Sequence, residues 1–327
     1  MVGARVPIIL KMAIPTDCPS LLFLLFSIAI NNKDIITGYF TTSDGQTHGF
    51  FGGVDGNYTS FDFGTGSTVP RNINDKGVIV GTAPDPNAGF VNGREFIRMV
   101  DGFLAPIEKR GVPLDGFPGG IRDDGLMVLD WIDQSQQKVT PYTAQRGKHL
   151  RRLPIVCSDG PHYVRPRDIN DDGTIVGYCK TSIDHSQAFI FKDGVLTLVA
   201  EPNTYQTSFF GINKNETISG WSCEDDQCIG QHAFVYDPAN SLFTDIAVPG
   251  AAWSNAAGIS DAGVVTVNTD IGPFLYCQRK KACPANGSVL RTEDQQASGH
   301  VLRALTSPKG AEGISDPEFR SHPVTRR

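Results

Sequence analysis

A unit of 43 to 48 residues returns six times in this chain of 327 residues, and no other feature constrains the fold as strongly. Each unit opens on an isoleucine followed by a polar residue, and in most units an acidic turn with glycine comes next. The openings lie 43, 48, 48, 43 and 47 residues apart, at Ile30-Asn31, Ile73-Asn74, Ile121-Arg122, Ile169-Asn170, Ile212-Asn213 and Ile259-Ser260. A period of this size indicates an architecture in which one supersecondary unit is stacked many times.

The fourth unit shows most clearly what one repeat contains. Residues 174–178, 188–191 and 195–199 are three short runs rich in β-branched and aromatic residues. Asp172-Gly173 and Asp193-Gly194 stand at the ends of these runs, and Asp-Gly steps suit tight hairpins because such turns need positive φ angles. The pattern predicts three strands of an antiparallel meander rather than a helix.

The other units contain the same strands and turns, with substitutions at some positions. Phe90 marks the second strand of the second unit. In the third unit, Tyr142 occupies the position where a phenylalanine is expected. The glycine that ends the first strong strand, Gly177 in the fourth unit, is replaced by Leu129 in the third unit and by Val267 in the sixth. The third unit has therefore diverged from the repeat pattern.

Three or four short strands per unit match the size of a β-propeller blade. One such sheet leaves its faces and edges uncovered, whereas a ring of blades covers the faces and leaves only short edges. The sequence therefore predicts an all-β fold, a β-propeller of six blades with three to four antiparallel strands each, over residues 28–290. A seventh, worn blade and an open solenoid are the alternatives.

A His-Ala-Phe step marks the second strand of the fifth unit, at His232-Ala233-Phe234, with variants at His48-Gly49-Phe50 and Gln187-Ala188-Phe189. With these steps and the Gly-Ile-Asn element, the chain resembles the HAF-repeat proteins, which are predicted extracellular repeat proteins. The resemblance covers about residues 28–290 and implies a propeller-like, extracellular protein. The family has no agreed catalytic chemistry, so no catalytic residue is carried over.

The net charge bears on the class of partner, and the cysteine content bears on the redox compartment. The net charge is −6 and no basic run lies inside the repeats, which disfavours nucleic acid as a partner. Paired cysteines at loop bases predict disulfides and an oxidising compartment, with the pairs Cys157 and Cys179, Cys223 and Cys228, and Cys277 and Cys283. A zinc site is the competing interpretation, but it lacks C-x-x-C spacing and paired histidines.

Three sequons, at Asn57, Asn215 and Asn286, fit a secreted glycoprotein in a eukaryotic host. Residues 1–27, with Arg5, Lys11 and the apolar run 21–29, are typical of a leader or signal sequence. The alternative is that residues 21–30 form a strand of the first or last blade. The run is too short to span a bilayer as a helix, and the polar residues 291–327 predict a disordered tail.

One arrangement points to a ligand site. Tyr39, Tyr178 and Trp221 share the position after the strand glycine, and acids such as Asp184 and Asp225 follow in the next loop. Equivalent loops of a ring gather on one face, and flat rings beside carboxylates suit sugar recognition. These five residues are the candidate ligand-binding set. The alternative is that the rings pack between blades and the acids are solvated.

The sequence contains no catalytic signature, and it predicts neither a cofactor nor a metal. His48 and His232 occupy a repeat position and are expected to form hydrogen bonds between blades. The acidic turns are too short for a calcium loop. We therefore expect a secreted, monomeric binding or interaction module whose partner is a carbohydrate or another extracellular protein. A propeller glycoside hydrolase or lyase is the alternative, and a degenerate family member is a third.

Overall fold

A computed structural model describes residues 8–11, 24–54, 56–85, 90–109, 111–133, 138–145, 150–157, 163–180, 186–278 and 288–290. All regular structure in these ranges is β-strand, and six antiparallel sheets follow one another along the chain. The inner strand of each sheet contacts the inner strands of its two neighbours, and the sixth sheet returns to the first. The prediction of an all-β propeller with six blades is confirmed.

Each of the first five blades is built from four consecutive strands, counted outward from the axis. Strand β1 (Ile8–Lys11) precedes the first blade, which consists of β2 (Leu24–Ile30), β3 (Ile35–Thr41), β4 (Thr47–Gly53) and β5 (Tyr58–Phe61). The second blade and a small separate hairpin consist of β6 (Val69–Ile73), β7 (Ile79–Asp85), β8 (Phe90–Arg98) and β9 (Leu104–Pro106), then β10 (Glu108–Lys109) and β11 (Val112–Pro113).

The third, fourth and fifth blades have the same order, whereas the sixth is a five-stranded sheet that includes β1. The third and fourth consist of β12 (Gly116–Ile121), β13 (Leu126–Asp133), β14 (Lys138–Gln145) and β15 (Arg151–Arg152), then β16 (Val164–Ile169), β17 (Ile175–Lys180), β18 (Ser186–Lys192) and β19 (Val195–Val199). The fifth and sixth consist of β20 (Gln206–Ile212), β21 (Ile218–Cys223), β22 (His232–Asp237) and β23 (Leu242–Ile246), then β24 (Ser254–Ile259), β25 (Val264–Thr269), β26 (Phe274–Cys277), β1 and β27 (Ser288–Leu290).

The sixth blade takes its fourth strand from the beginning of the chain. Strand β1 pairs antiparallel with β26, with Ile8 opposite Cys277, and β27 pairs with the other edge of β1. Strand β2 is the inner strand of the first blade, so the boundary predicted between leader and propeller at residue 28 falls inside a strand. The predicted tail, residues 291–327, lies outside the described residues.

The repeat glycine lets strands approach closely. Gly177 in β17 pairs with Phe189 in β18, and a Cβ at Gly177 would lie 2.9 Å from the Phe189 ring and inside contact distance of the Arg165 carbonyl oxygen. Three other blades have the same pairing, at Gly38 with Phe50, Gly81 with Phe96 and Gly220 with Phe234. The second unit therefore uses Phe96 in this position, whereas the sequence offered Phe90, because β8 is longer than its counterparts.

Two disulfides confirm the corresponding cysteine predictions. Cys157, which follows β15, is bonded to Cys179 in β17, and Cys223 to Cys228 closes the loop between β21 and β22. Cys277 is also disulfide-bonded, and Cys283, with which it was paired from the sequence, lies outside the described residues. In the described part of the chain, no helix is long and apolar enough to cross a membrane.

Candidate functional site

The repeat signature lines a funnel on the propeller axis. Every inner strand ends at the repeat isoleucine, so six copies of the signature meet at one mouth of the ring. The funnel has a cavity volume of about 90 Å³ and is open to solvent. Its wall is formed by the isoleucine of all six blades, by the residue before it in four blades (Ala29, Asn72, Asp168 and Gly258), and by one or both of the two residues after it. The feature that identified the fold therefore also builds the cavity.

Within a blade, the asparagine of the signature closes the turn that follows the inner strand. The Oδ1 atom of Asn213 accepts hydrogen bonds from the backbone N–H groups of Asn215 and Thr217, both at 3.0 Å. Asn31 and Asn74 accept two bonds in the same way, and Asn170 accepts one from Thr174. The acidic turns thus owe their shape to an amide side chain, as expected for an Asx-type turn.

Between blades, the same amide donates to the backbone of the next repeat. Four Nδ2 groups donate to the carbonyl oxygen one blade further on, from Asn31 to Asn74 at 2.9 Å, Asn74 to Arg122 at 3.0 Å, Asn170 to Asn213 at 3.3 Å and Asn213 to Ser260 at 3.2 Å. The junction between the sixth and first blades is joined one residue later, where Asp261 N–H donates to Asn32 Oδ1 at 2.6 Å. Among the described residues, these bonds join five of the six blade junctions around the axis.

Asp168 is the most unusual residue of the funnel. It stands directly before Ile169, where the other blades have Ala29, Asn72 or glycine. Its Oδ1 atom accepts bonds from Ile169 N–H at 2.9 Å and from the Asn72 amide at 3.3 Å, and its Oδ2 atom accepts from Ile212 N–H at 2.9 Å. One carboxylate thereby joins the second, fourth and fifth blades.

Burial raises the pKa of Asp168 to about 7, although the bonds from Ile212, Ile169 and Asn72 act in the opposite direction. Desolvation disfavours the charged form of a carboxyl group, whereas hydrogen bonds to the carboxylate favour it. Here the desolvation is the larger effect. At neutral pH this carboxyl group is therefore divided between its protonated and ionised forms.

The funnel wall has more carboxylates than cations. The carboxylates belong to Asp75, Asp123, Asp168, Asp171 and Asp261, and the cations to Arg122 and Lys214. Lys214 is close to Asp261, at 3.3 Å, and Arg122 is paired with Asp124, at 2.9 Å. Within the described ranges, no group of three or more His, Cys, Asp or Glu side chains is arranged to hold a metal ion. The wall therefore carries an excess of negatively charged side chains.

The residues that the sequence proposed for ligand binding lie elsewhere. Tyr39, Tyr178 and Trp221 are buried, with 6%, 8% and 5% of their surfaces exposed. Phe210 brings two of them together, since its ring centroid is 6.2 Å from that of Tyr178 and 6.5 Å from that of Trp221. Tyr39 stacks instead on Phe26 in the first blade, at 5.1 Å.

One of the two predicted acids, Asp225, is also outside the funnel. Asp225 is exposed in the loop closed by Cys223 and Cys228, where its Oδ1 atom accepts bonds from the N–H groups of Gln227 and Ile229. Asp184 lies outside the described residues. A role of these five residues in ligand binding stays a prediction.

Sequence reasoning missed Asn72, Arg122 and Asp168. One signal was present in the repeat alignment. Asn72 and Asp168 stand before the repeat isoleucine, where three of the six blades have glycine, and Arg122 stands after it, where four blades have asparagine. A substitution of this kind at an axial position makes one side of an otherwise symmetric ring chemically different from the rest.

A second group of buried charges lies between the second, third and fourth blades. Glu95 is completely buried, and neither of its carboxyl oxygens has a hydrogen-bond partner in the described part of the chain. Burial raises its pKa well above the ordinary value, and the nearby Asp130 and Asp115 raise it further. Arg165 is 3.7 Å from Asp130 and packs its guanidinium over the Phe117 ring at 4.2 Å.

No protein-family model matches this chain, and no curated protein matches it. Among solved structures, a provisionally assigned gluconolactonase is 10% identical with a TM-score of 0.50, over 85% of this chain and 93% of that one. AofleA from Arthrobotrys oligospora is also 10% identical with a TM-score of 0.50, over 82% and 83%. A prolyl endopeptidase is 12% identical with a TM-score of 0.48, and this chain spans only 42% of its length. The two likenesses with a TM-score of 0.50 show the fold alone.

Proposed function

We propose that this chain is a secreted β-propeller that binds a carbohydrate in its axial funnel without catalysing a reaction. The observation that carries the proposal is the funnel itself, an open cavity whose wall presents amide and carboxylate groups from consecutive blades. Ligand sites commonly combine one well-formed concave surface with a few convergent polar groups.

The chemistry of the wall favours hydroxyl groups as partners. A sugar hydroxyl donates one hydrogen bond and accepts two, so it can be bound by carboxylates and by amides at once. Asp171 is exposed on the wall and has no hydrogen-bond or ion-pair partner among the described residues, so its carboxylate is free to accept from a ligand. The excess of carboxylates repels phosphates and other anions.

Secretion is supported by the cysteines. The two disulfides Cys157 to Cys179 and Cys223 to Cys228 form and persist in an oxidising compartment. Two of the three sequons are at exposed positions, Asn57 and Asn215, whereas Asn286 lies outside the described residues. Peptide mapping without reductant, on protein secreted by a eukaryotic host, would show both disulfides and glycans on these asparagines. Free thiols at Cys157, Cys179, Cys223 or Cys228 in the secreted protein would contradict this part of the proposal.

A glycan array with the full chain tests the binding function, and two neighbouring substitutions test the site. Asp171→Trp places a large ring at the mouth of the funnel without removing a bond of the ring. Asp172→Trp makes the same change at the next position, which is exposed but does not line the funnel. We expect the first variant to lose binding and the second to keep it.

Two outcomes would overturn the proposal. Folded wild-type protein that binds no glycan on a broad array would exclude the function. A bound glycan that tolerates Asp171→Trp would exclude the funnel as the site, and variants such as Asp225→Asn would then test the exposed loop instead.

The alternative of a glycoside hydrolase or lyase has one observation in its favour. Asp168 has a pKa of about 7, which suits a general acid that must deliver a proton near neutral pH. Against it, both oxygens of Asp168 already accept bonds from protein N–H groups. An assay for new reducing ends, with wild type and Asp168→Asn, separates the alternatives. A product that disappears in the variant would favour the enzyme.

A further inference from the structure

The hydrogen-bonded ring of the funnel is interrupted at one junction. Four junctions are joined by an asparagine amide, and the sixth and first blades are joined by Asp261 and Asn32. In the described part of the chain, no hydrogen bond joins the turn after Ile121 to the turn after Ile169. The junction between the third and fourth blades therefore differs from all the others.

Arg122 is the cause of this interruption, because it replaces the asparagine that would donate across the junction. Its Nη2 atom is paired with Asp124 of its own turn at 2.9 Å, and its Nε atom is buried without a hydrogen-bond partner among the described residues. The guanidinium nevertheless reaches the next blade, since a Cβ at Gly173 would lie 3.9 Å from Nη1.

The interruption leaves binding groups of the fourth blade unused. The carbonyl oxygen of Asn170 accepts a bond from Gly173 N–H at 3.0 Å but receives no amide from the preceding blade. The corresponding oxygen of Asn213 accepts both, from Glu216 N–H and from the Asn170 amide. Asp171, the next residue after Asn170, has no partner among the described residues. Arg122, Asn170 and Asp171 all line the funnel.

We infer that the third-to-fourth junction is the side of the funnel that contacts the ligand, and that Arg122 determines its specificity. This inference rests on the proposed function. Arg122 donates to hydroxyl groups of a bound saccharide through its planar fork of N–H groups, and Asp171 accepts from a neighbouring hydroxyl. Charge-assisted hydrogen bonds of this kind are stronger than those between neutral groups, and the fork fixes the orientation of its partner.

Two substitutions that both restore the repeat asparagine give a matched test. Arg122→Asn supplies the missing amide at the interrupted junction, so it should close the ring onto Asn170 and remove the guanidinium. Ser260→Asn supplies the same amide at the sixth-to-first junction, which is already joined. We expect Arg122→Asn to weaken binding of the best array glycan at least tenfold with a Tm no lower than that of wild type. Ser260→Asn should keep the affinity within about twofold.

Asp171→Asn provides a second variant that cannot fail through folding, because this side chain is exposed and makes no bond in the described structure. A loss of at least tenfold in affinity is expected here too. Arg122→Lys keeps the charge without the planar fork, and we expect a change in the ranking of glycans on the array, which a purely structural role would not produce.

The outcomes separate this inference from the function on which it rests. If wild type binds a glycan and Arg122→Asn binds it equally well, the junction is not the contact side and the inference is wrong. Equal losses in Arg122→Asn and Ser260→Asn would show that ring geometry, not Arg122 itself, controls binding, and would also overturn it. If wild type binds no glycan, the proposed function fails first.

Discussion

Gly120 of the third blade leaves the space that the carboxylate of Asp168 in the fourth blade occupies. A Cβ at Gly120 would stand inside contact distance of Asp168 Oδ1 and 2.6 Å from Ile169 N. Because the third blade has no side chain at this position, Asp168 can reach past it to Asn72 of the second blade, at 3.3 Å. A small residue in one blade therefore allows a bond between the two blades on either side of it.

The substitution Gly120→Ala tests this relationship. The added methyl group must displace Asp168 or the backbone of Ile169, and overpacking of this kind costs about 1 to 3 kcal/mol. We expect urea unfolding to show a loss of stability in this range. Gly230→Ala is the matched control, because a Cβ at Gly230 meets no atom within 4 Å. Equal stability of the two variants would show that the fourth blade shifts to make room for the methyl group.

Asp168 should make the stability of the protein depend on pH near neutrality. Its folded pKa of about 7 lies above the ordinary value of 3.8, so the folded state holds the proton more tightly than the unfolded state does. This contribution to stability is complete below about pH 4 and is lost as pH rises to about 7 and above. Relative to Asp168→Asn, the free energy of unfolding of wild type should therefore fall between pH 4 and pH 7 and then stay level.

Urea unfolding at intervals between pH 4 and pH 8 measures this difference. Asp172→Asn removes an exposed carboxylate of the same blade, and its curve should run parallel to that of wild type. Parallel curves for Asp168→Asn as well would mean that Asp168 titrates normally.

Glu95 should change the stability with pH in the same direction as Asp168. Its pKa is raised by burial and by the neighbouring Asp130 and Asp115, so the protonated form is the one that folding favours. Stability from this group is complete below its ordinary pKa and declines as pH rises through the raised value. Glu95→Gln cannot ionise, so we expect its Tm to be similar to that of wild type at pH 5 and higher at pH 9.

Thermal unfolding at the two pH values decides this prediction. Glu224→Gln removes an exposed carboxylate and should leave the difference between the two pH values unchanged. A Tm for Glu95→Gln that stays below that of wild type at pH 9 would show that the ionised carboxylate is stabilised in the fold.

The fold could be predicted because its determinants repeat. Glycine opposite a buried phenylalanine, as at Gly177 and Phe189, recurs at the same place in four blades, and each copy reinforces the interpretation of the others. The third blade forms despite its worn sequence, because Leu129 is fully buried in the position of the glycine. The register of the strands within a blade was harder to predict, since the long strand β8 places Phe96, not Phe90, opposite Gly81.

The funnel could not be predicted in the same way, because its distinctive groups come from different blades. Asp168 bonds to Asn72, which is 96 residues away, and it does so only because Gly120 lies between them. A repeat alignment shows that each of these positions is axial, but not which of them meet. For Tyr178, the sequence left open whether the ring binds a ligand or packs between blades, and the structure shows it buried against Phe210 of the next blade.

The disulfides should stabilise the propeller to different extents. Cys157 and Cys179 are 22 residues apart and connect the third blade to the fourth, whereas Cys223 and Cys228 are 5 residues apart within one loop. Because the loop entropy removed from the unfolded chain grows with the length of the closed loop, we expect losses of about 3 kcal/mol for the first pair and about 2 kcal/mol for the second. Urea unfolding of Cys157→Ala/Cys179→Ala and Cys223→Ala/Cys228→Ala measures both. The first pair is also buried in the core between the two blades, so its double variant should lose additional packing. A larger loss from the short loop than from the long one would contradict the prediction.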